Sequence, residues 1–567
     1  MSGRRAQSIG LALLLPVFVF AAYIPSMSGD FVSDDDLYIS ENPVLTEPDG
    51  LRRVWLSPGA TPQYYPLVFT TFWIERRLWD LDTTGYHIAN VLLHALNALL
   101  LWRILAGLQV PGAGFAAAVF ALHPVHVESV AWITERKNVL SLALCLAAMI
   151  AYLRFTRLGR WQQAGARDRG HDAFFYATSL VLFVGALLSK TVTCTWPAVI
   201  LLVIWWKTGR IRGTDVVRLA PMFVAGLAMG LVTAWVEKEF VGAEGATWHM
   251  GPMEHVLLAG RVVCFYAGKL VWPDPLMFIY PRWRIDPGQG WQYVYLAGCL
   301  VAVVGAWAVR RRAGRGPLAA MLFFVGTLAP VLGFINVYFM QFSFVADHFQ
   351  YHASIGPIAA IAALSAWVGG KRRSLARPLW MLQAIILAVL AVNTWSEATK
   401  FIDGRTLWSD TLAKNPRAWI AYNNLGVLLE RDGESAEAER LYRKALAVKP
   451  NLFRAHSNLG ALLAERGEHE AGMAHLREAV RLAPNVFDNR FNLATAWARQ
   501  ERWNEAAEEY RRAIEIRPGV ANARFGLAKA LLELGDRVAA ISELQECVRL
   551  QPDHAGAGQM LSELKAP

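Results

Sequence analysis

Cysteine is scarce in this chain, with five residues in 567, and their spacing excludes a disulfide framework or a cysteine-based metal site. A second absence divides the sequence. Apolar runs of about 15 to 20 residues, the length of a membrane span, recur between residues 9 and 396, and none follows. Beyond residue 400, Glu, Arg, Ala and Leu dominate. The sequence therefore predicts a polytopic membrane domain (1–400) followed by a soluble domain (401–567).

The net charge of +10 does not indicate a nucleic-acid-binding protein, because of where the basic residues lie. They form short clusters between apolar runs, at 154–169, 207–218, 310–315 and 371–377. Such clusters mark the cytoplasmic loops of membrane proteins and fix their orientation. No nucleic-acid partner is expected; the expected partners are membrane lipid and ligands of the outer face.

Successive loops of a membrane protein alternate between its two sides. With the basic clusters placed in the cytoplasm, this alternation predicts about eleven spans, a cytoplasmic N-terminus and an outer C-terminus. The segment 254–273 would break this alternation, and Arg261 and Lys269 would be costly at mid-membrane, so we expect an interfacial or re-entrant helix there. The first run could also be a cleavable signal peptide, but the alternation favours an uncleaved span. The predicted spans are 9–25, 86–106, 112–123, 139–153, 173–189, 192–206, 219–236, 293–309, 318–336, 355–369 and 378–396.

The soluble domain has a strict internal repeat. Pro416, Pro450, Pro484, Pro518 and Pro552 are spaced by 34 residues, the period of tetratricopeptide repeats. We expect a half repeat (405–416), full repeats over 419–552 and a C-terminal cap, stacked into a solenoid with a concave groove. Polar residues on the first helices are candidates for binding a protein or peptide acceptor, or else form a solvated face: Asn424, Asn458, Arg490, Asn492 and Arg524.

Three adjacent carboxylates, Asp34, Asp35 and Asp36, lie in the first loop that the topology places outside. Crowding raises the pKa of one carboxylate among several, which suits a catalytic base or a metal-binding pair. The alternatives are a solvated acidic loop, or a helix cap for the residues that follow. An aspartate pair permits a divalent metal without requiring one.

The other outer loops, in 124–138, 237–292 and 337–354, together with the outer span ends at His123 and Lys190, collect cations, histidines and further acids. Each side chain could anchor the chain at lipid headgroups. Together they form a basin in which carboxylates could activate a hydroxyl and cations could stabilise a phosphate leaving group. The candidates are His123, His126, Glu128, Arg136, Lys137, Lys190, Arg261, Lys269, Arg282, Asp347, His348 and Tyr351.

Five motifs occur in a fixed order before the repeats: "FVSDDDLYISENP", "ALHPVHVESVAWITERKNVLSL", "LLSKTVT", "GKLVWPDPLMFIYP" and "ADHFQYHASIG". In this order the chain resembles the transmembrane and tetratricopeptide-repeat O-mannosyltransferase family, within the C-type glycosyltransferases. The resemblance implies an all-α membrane enzyme that moves a sugar from a polyprenyl phosphate to a Ser or Thr hydroxyl of a protein. It also implies that Asp34 or Asp35 is the catalytic base.

One position departs from the family pattern. Relatives carry Asp-Arg-Tyr where this chain has Asp347-His348-Phe349, so a titratable imidazole replaces a permanent cation. The phosphate-binding role of His348 is then in question, and Lys190, Lys269 or Arg282 would have to compensate. Arg136 and Arg261 are the other cations expected to hold the donor phosphate.

The expected setting is a bacterial inner membrane, with the site and the repeats on the periplasmic side. Two other functions fit the same sequence: a membrane-tethered scaffold without catalysis, and a transporter of lipid-linked sugar. Transport is disfavoured because the charges lie at span ends on one side rather than at mid-membrane.

Overall fold

The computed structural model describes residues 2–163, 169–241 and 250–566; Arg167, part of the first basic cluster, lies outside these ranges. All regular elements in the described residues are helices. They are α1 (Ser2–Met27), α2 (Gly50–Leu56), α3 (Pro66–Trp79), α4 (Thr83–Gly107), α5 (Ala113–Leu122), α6 (Val127–Ala131), α7 (Arg136–Thr156), α8 (Arg169–Leu187), α9 (Trp196–Thr208), α10 (Gly213–Val236), α11 (Pro252–Val271), α12 (Tyr293–Ala313), α13 (Gly316–Leu328), α14 (Ile355–Lys371), α15 (Ala376–Ala398), α16 (Gly404–Lys414), α17 (Trp419–Arg431), α18 (Ser435–Val448), α19 (Phe453–Glu465), α20 (His469–Leu482), α21 (Phe487–Arg499), α22 (Trp503–Ile516), α23 (Ala521–Glu533), α24 (Arg537–Leu550) and α25 (Ala555–Lys565).

Seven helical stretches in the described residues are long and apolar enough to cross a membrane, or eight if the bent pair α5 and α6 forms one span. Three shorter apolar helices lie in α1, α13 and α14. Each of the eleven predicted spans coincides with one of these helices. Helix α11 is not among them, because Glu254, Arg261 and Lys269 interrupt its apolar residues.

The candidate spans differ in how much of their surface the protein itself covers. Two-thirds of the apolar window in the α7 stretch is buried, against 6% for α12 and for α15. On α12, Leu300, Val301 and Val304 are exposed, as expected for side chains that face lipid. Helices α4, α5 and α7 therefore form the inner part of the first unit.

The stretch between α5 and α7, predicted as an outer loop, is not an exposed loop. It folds into the 3₁₀ turn Pro124–His126, helix α6 and the 3₁₀ turn Ile133–Glu135. Every residue from His123 to Val139 is buried. Because buried polar groups need partners, this packing brings the polar side chains of the stretch into direct contact with other loops.

The chain separates into two compact units, residues 1–410 and 411–567. In the second unit, four antiparallel helix pairs run from α17 to α24, and α25 follows. Each second helix ends just before a repeat proline, as α18 does before Pro450, because proline disfavours helical backbone in the residue that precedes it. Close helix contact explains the small residues: a Cβ on Gly472 would lie 2.8 Å from the carbonyl oxygen of Gly460. The predicted all-α fold, membrane helices followed by helical repeats, is confirmed.

Candidate active site

The three adjacent aspartates occupy three different environments. Asp35 is fully buried and Asp34 is exposed. Asp36 opens the π-helical turn Asp36–Ser40, and its Oδ1 accepts a hydrogen bond from the Ser40 hydroxyl at 2.8 Å. A turn at Ser33, where φ is 54°, precedes Asp34, and helical backbone begins at Asp35.

Asp35 ties the first loop to the turn before α7. Its Oδ2 accepts a hydrogen bond from the Val32 amide at 3.0 Å, and its Oδ1 accepts one from the Thr134 amide at 2.8 Å. The Thr134 hydroxyl also donates to Oδ1. Burial raises the pKa of Asp35 to about 7, although these hydrogen bonds oppose the increase. Both carboxylate oxygens are therefore committed to holding the loop.

Asp34 lies on the accessible side of the same loop. Its negative charge acts on Lys137 and on the Tyr38 hydroxyl, which places it near both. The Tyr38 hydroxyl donates to Gln63 Oε1 at 2.8 Å, and Gln63 Nε2 donates to Glu237 Oε1 at 3.0 Å. A carboxylate, an ammonium and a chain of polar side chains therefore meet at one end of α7.

Glu135 gathers the cations around it, and we call Glu135, Lys137, Asn138, Lys190 and His348 the Glu135 cluster. Lys137 Nζ lies 2.9 Å from Glu135 Oε1, and Lys190 Nζ lies 3.2 Å from Glu135 Oε2. Asn138 bridges the two groups: its Nδ2 donates to Glu135 Oε2 at 2.6 Å, and its Oδ1 accepts from Lys190 at 2.8 Å. Burial lowers the pKa of Lys190 to about 8, while the carboxylate of Glu135 opposes that change.

His348 is held by a second carboxylate. Its Nδ1 lies 2.8 Å from Glu128 Oε1, and its backbone amide donates to Glu128 Oε2 at 3.0 Å. Its Nε2 faces Glu135 Oε1 at 3.9 Å. The neighbouring Asp347 accepts a hydrogen bond from the Tyr280 hydroxyl at 2.9 Å, and burial raises the pKa of Asp347. His348 thus joins the Glu135 cluster from a distant part of the chain.

Arg136 is not at this cluster, and its assignment to phosphate binding is withdrawn. Its side chain is buried, with Nη1 2.6 Å from Glu75 Oε1 and Nη2 donating to the Tyr86 carbonyl at 2.9 Å. Its Nε donates to Asn90 Oδ1. All three guanidinium nitrogens therefore have protein partners in a buried ion pair.

The three cations between 261 and 282 lie against aromatic rings instead of in the Glu135 cluster. The Arg261 guanidinium is 4.3 Å from the centre of the Trp283 ring, and Arg282 is 4.7 Å from that of Phe344. Lys269 donates to the Pro275 carbonyl. These contacts suit anchoring of α11 and the following loop; binding of the donor phosphate by the three residues stays a prediction.

His123, His126 and Tyr351 also have structural partners. His123 Nε2 lies 3.1 Å from the Leu270 carbonyl oxygen, and His126 Nε2 lies 2.9 Å from the Ser354 hydroxyl. The Tyr351 hydroxyl lies 2.8 Å from His94 Nδ1. All three are buried and join segments far apart in sequence, so we correct their assignment from site residues to supports of the site.

In the repeat unit, asparagines link successive repeats. Asn458 Nδ2 donates to Asn423 Oδ1 at 3.2 Å, and Asn492 Nδ2 donates to the Ser457 hydroxyl at 3.0 Å. Asn424 Oδ1 accepts from Asn423 at 3.2 Å. Asn424, Asn458 and Asn492 are half-buried and so keep an accessible edge.

The two arginines expected beside these asparagines are engaged inside their own repeats. Arg490 pairs with Glu509 and Arg524 with Glu543, each at 2.8 Å. Each also donates to the repeat proline carbonyl six residues earlier. These contacts give both arginines a structural role; acceptor binding by them stays a prediction.

Sequence reasoning did not select the partners that organise this site, Glu135, Asn138, Glu75 and Gln63. Glu135 and Asn138 flank Arg136 and Lys137 in one motif, so the density of polar residues there was a signal by which they could have been selected. No comparable signal marks Glu75 or Gln63. In the described part of the chain, no group of three or more His, Cys, Asp or Glu side chains is arranged to hold a metal ion.

The fold and the site define a multi-helix membrane protein with a tetratricopeptide array and a buried charged cluster at the end of one inner helix. Tetratricopeptide repeat models match residues 397–452, 432–487 and 498–564. The protein O-mannosyl-transferase F38B6.6 of Caenorhabditis elegans is 24% identical over 476 residues, which is 77% of this chain and 62% of that protein. The human protein O-mannosyl-transferase TMTC1 is 30% identical over 195 residues, 32% of this chain and 22% of that protein.

Among solved structures, the chain is similar to YrrB, described as a TPR protein with an unusual peptide-binding site. That likeness is 22% in identity with a TM-score of 0.25, and covers 32% of this chain and 91% of that one. The resemblance to protein O-mannosyl-transferases, predicted from the five motifs, is confirmed by these relatives. The chain spans less than two-thirds of the length of each of the two relatives.

Proposed function

We propose that this protein is a membrane glycosyltransferase that moves a sugar, a hexose such as mannose, from a polyprenyl phosphate to a Ser or Thr hydroxyl of a protein. The observation that carries the proposal is the pairing of Lys137 and Lys190 with the two oxygens of Glu135, with Asp34 within electrostatic reach of Lys137. Two ammonium groups with an exposed carboxylate within reach of one of them provide what a sugar-phosphate donor and a hydroxyl acceptor need. The names of the relatives support the same reaction class.

Lys137 and Lys190 hold the donor phosphate in this proposal. A polyprenyl-phosphate sugar is a phosphodiester with one negative charge, and its leaving group, a phosphomonoester, acquires a second. Ammonium groups placed where charge develops stabilise the transition state more than the ground state. Both lysine side chains are only about one-tenth exposed, so bulk water screens them little. His348 completes the cation set when it is protonated.

Asp34 is the catalytic base. Its carboxylate takes the proton of the acceptor hydroxyl as that oxygen attacks the anomeric carbon of the sugar. The bond from this carbon to the phosphate oxygen breaks, and its electron pair stays on the phosphate. One displacement of this kind inverts the anomeric configuration. Asp35 shapes the loop but does not take the proton, since both its oxygens accept hydrogen bonds from Val32 and Thr134.

The polyprenyl chain lies among the apolar spans, and the tetratricopeptide array binds the acceptor protein through Asn424, Asn458 and Asn492. We place the Glu135 cluster and the array on the outer, periplasmic face of a bacterial inner membrane, with the N-terminus in the cytoplasm. The distribution of basic clusters supports this orientation. A divalent metal is not needed for the proposed displacement, since the phosphate meets two ammonium groups.

The test compares Asp34→Asn with Asp36→Asn in the full chain reconstituted into liposomes. With labelled polyprenyl-phosphate mannose and a Ser/Thr-containing acceptor, Asp34→Asn should lower the transfer rate about 100- to 10,000-fold, the usual contribution of a general base. Asp36→Asn is the matched control and should keep most of the activity, because Asp36 accepts a local hydrogen bond from Ser40 and can still do so as asparagine.

Asp35→Asn in the same assay separates the two candidate bases. It should reduce thermal stability while the folded fraction retains transfer activity. Full activity of Asp34→Asn with loss of activity in folded Asp35→Asn would assign the base to Asp35. No transfer by the wild-type chain, together with acceptor binding by the array or movement of the donor across the bilayer, would favour the scaffold or the transporter instead.

A further inference from the structure

Glu135 is a buried acid that the proposed reaction does not use directly, yet it contacts both phosphate-binding lysines. The two lysines lie 53 residues apart in sequence, and each places its ammonium on a different oxygen of this one carboxylate. Asn138 fixes the Oε2 side by bonding to both Glu135 and Lys190. The Glu135 carboxylate therefore sets the distance between the two ammonium groups.

We propose that Glu135 is the positioning residue of the donor-phosphate site: it holds the Lys137 and Lys190 ammonium groups at the two oxygens of one carboxylate and keeps Lys190 charged. The inference rests on the proposed function. It adds that Glu135, through the charge of Lys190, makes binding of the donor phosphate depend on pH. Glu135 itself touches neither sugar nor acceptor.

The charge state of Lys190 is what Glu135 controls. The ammonium of Lys190 is destabilised by burial and by the nearby positive charge of Lys137; Glu135 and, more weakly, Glu128 stabilise it. His352 also lies within electrostatic reach, on the segment that leads into α14. With a pKa of about 8, Lys190 is charged at neutral pH only by a small margin. Removal of the Glu135 charge lowers that pKa further.

The experiment is Glu135→Gln, which keeps the side-chain shape and one carbonyl oxygen while removing the charge. In the reconstituted full chain, we expect the KM for polyprenyl-phosphate mannose at pH 7.5 to rise about tenfold or more, because each unit of pKa below the pH leaves about a tenfold smaller charged fraction. The pH at which donor affinity falls by half should move to a lower value. The value of kcat at saturating donor should change less than KM.

Two further variants distinguish a charge effect from a packing effect. Lys190→Arg in the Glu135→Gln background should restore the donor KM and remove its dependence on pH near 8, because a guanidinium stays charged. Glu135→Asp retains the charge and should recover part of the donor affinity. A purely structural role for Glu135 would lower stability and kcat without moving the pH profile.

A second measurement does not depend on catalysis. The pH dependence of Lys190 acylation by a small water-soluble reagent, followed by mass spectrometry of the full chain, should shift to lower pH in Glu135→Gln, while that of Lys207 stays fixed. An unchanged Lys190 profile, or an unchanged donor KM in an active enzyme, overturns the inference. A shifted Lys190 profile in a chain that transfers no sugar would support the Glu135–Lys190 coupling and refute the proposed function.

Discussion

Arginine–glutamate ion pairs occur in both units of this protein, but they differ in how much of them solvent reaches. In the membrane unit, Arg136 and Glu75 pair with side chains only 2% and 9% exposed. In the repeat unit, Arg549 and Glu546 pair at the same distance, with side chains 66% and 33% exposed. The buried pair lies between helices far apart in sequence, whereas the exposed pair joins residues three apart on one helix.

The difference in solvent exposure decides how much each ion pair matters to the stability of the fold. An exposed pair is screened by water and held loosely, so its loss changes little. A buried pair must be complete, because either partner alone would be an uncompensated charge in a medium of low polarity. The buried polar residues of the membrane unit therefore act as an interlocked set, whereas an exposed pair such as Arg549 and Glu546 acts independently of its surroundings.

The largest expected effect is at the buried pair. Arg136→Met leaves Glu75 buried without its cation and should lower the free energy of unfolding by about 3–5 kcal/mol. Arg549→Met, the matched change in the repeats, should leave stability within experimental error. Thermal unfolding of the two full-length variants in detergent measures both effects. Equal losses of stability would contradict the contrast, and Arg136→Met/Glu75→Gln should recover part of the lost stability.

An intermediate effect is expected on acceptor binding. Asn458→Ala removes an accessible amide from the first helix of the second repeat and should raise the KM for a protein acceptor about two- to tenfold, the equivalent of one hydrogen bond. Transfer to a short soluble Ser/Thr peptide, which does not need the array, should stay unchanged. Equal loss with both acceptors would indicate that the array only supports folding.

The smallest effect concerns a pair of histidines in the second repeat. His456 and His475 face each other through Nδ1 at 2.9 Å, at the repeat positions where the next two repeats carry Arg490–Glu509 and Arg524–Glu543. Burial, His456 and Arg443 lower the pKa of His475 in the folded chain. Glu478 also lies within electrostatic reach of His456.

Because the folded pKa of His475 lies below the unfolded value of about 6.5, its neutral form stabilises the repeat, and this contribution is lost as the pH falls below about 6.5. The protection factors of the amides in α19 and α20, which are corrected for the intrinsic pH dependence of hydrogen exchange, should therefore be lower at pH 5 than at pH 7.5. His456→Arg/His475→Glu, which copies the neighbouring repeats, should reduce this difference. Equal pH dependence in the wild-type chain and the variant would contradict the prediction.

Local patterns in the sequence determined the architecture. A proline every 34 residues, with small residues at fixed offsets, specifies helix pairs that bury their faces only against neighbouring pairs. Apolar runs of span length, and the charges that interrupt 254–273, specified the candidate membrane helices and excluded α11 from them. Such signals can be read from one chain because each depends on residues within a few helical turns of one another.

Only the tertiary structure decided which polar residues come together in the candidate site. Asp34 and Asp35 are adjacent residues of the same type. In the folded chain Thr134, 99 residues from Asp35, donates a hydrogen bond to Asp35, whereas Asp34 stays accessible to solvent. Arg136 and Lys137 are neighbours, yet Glu75 holds the first and Glu135 the second. The free energy of a buried charge depends on its partners and its access to water, and both are set by segments that meet only in the folded chain.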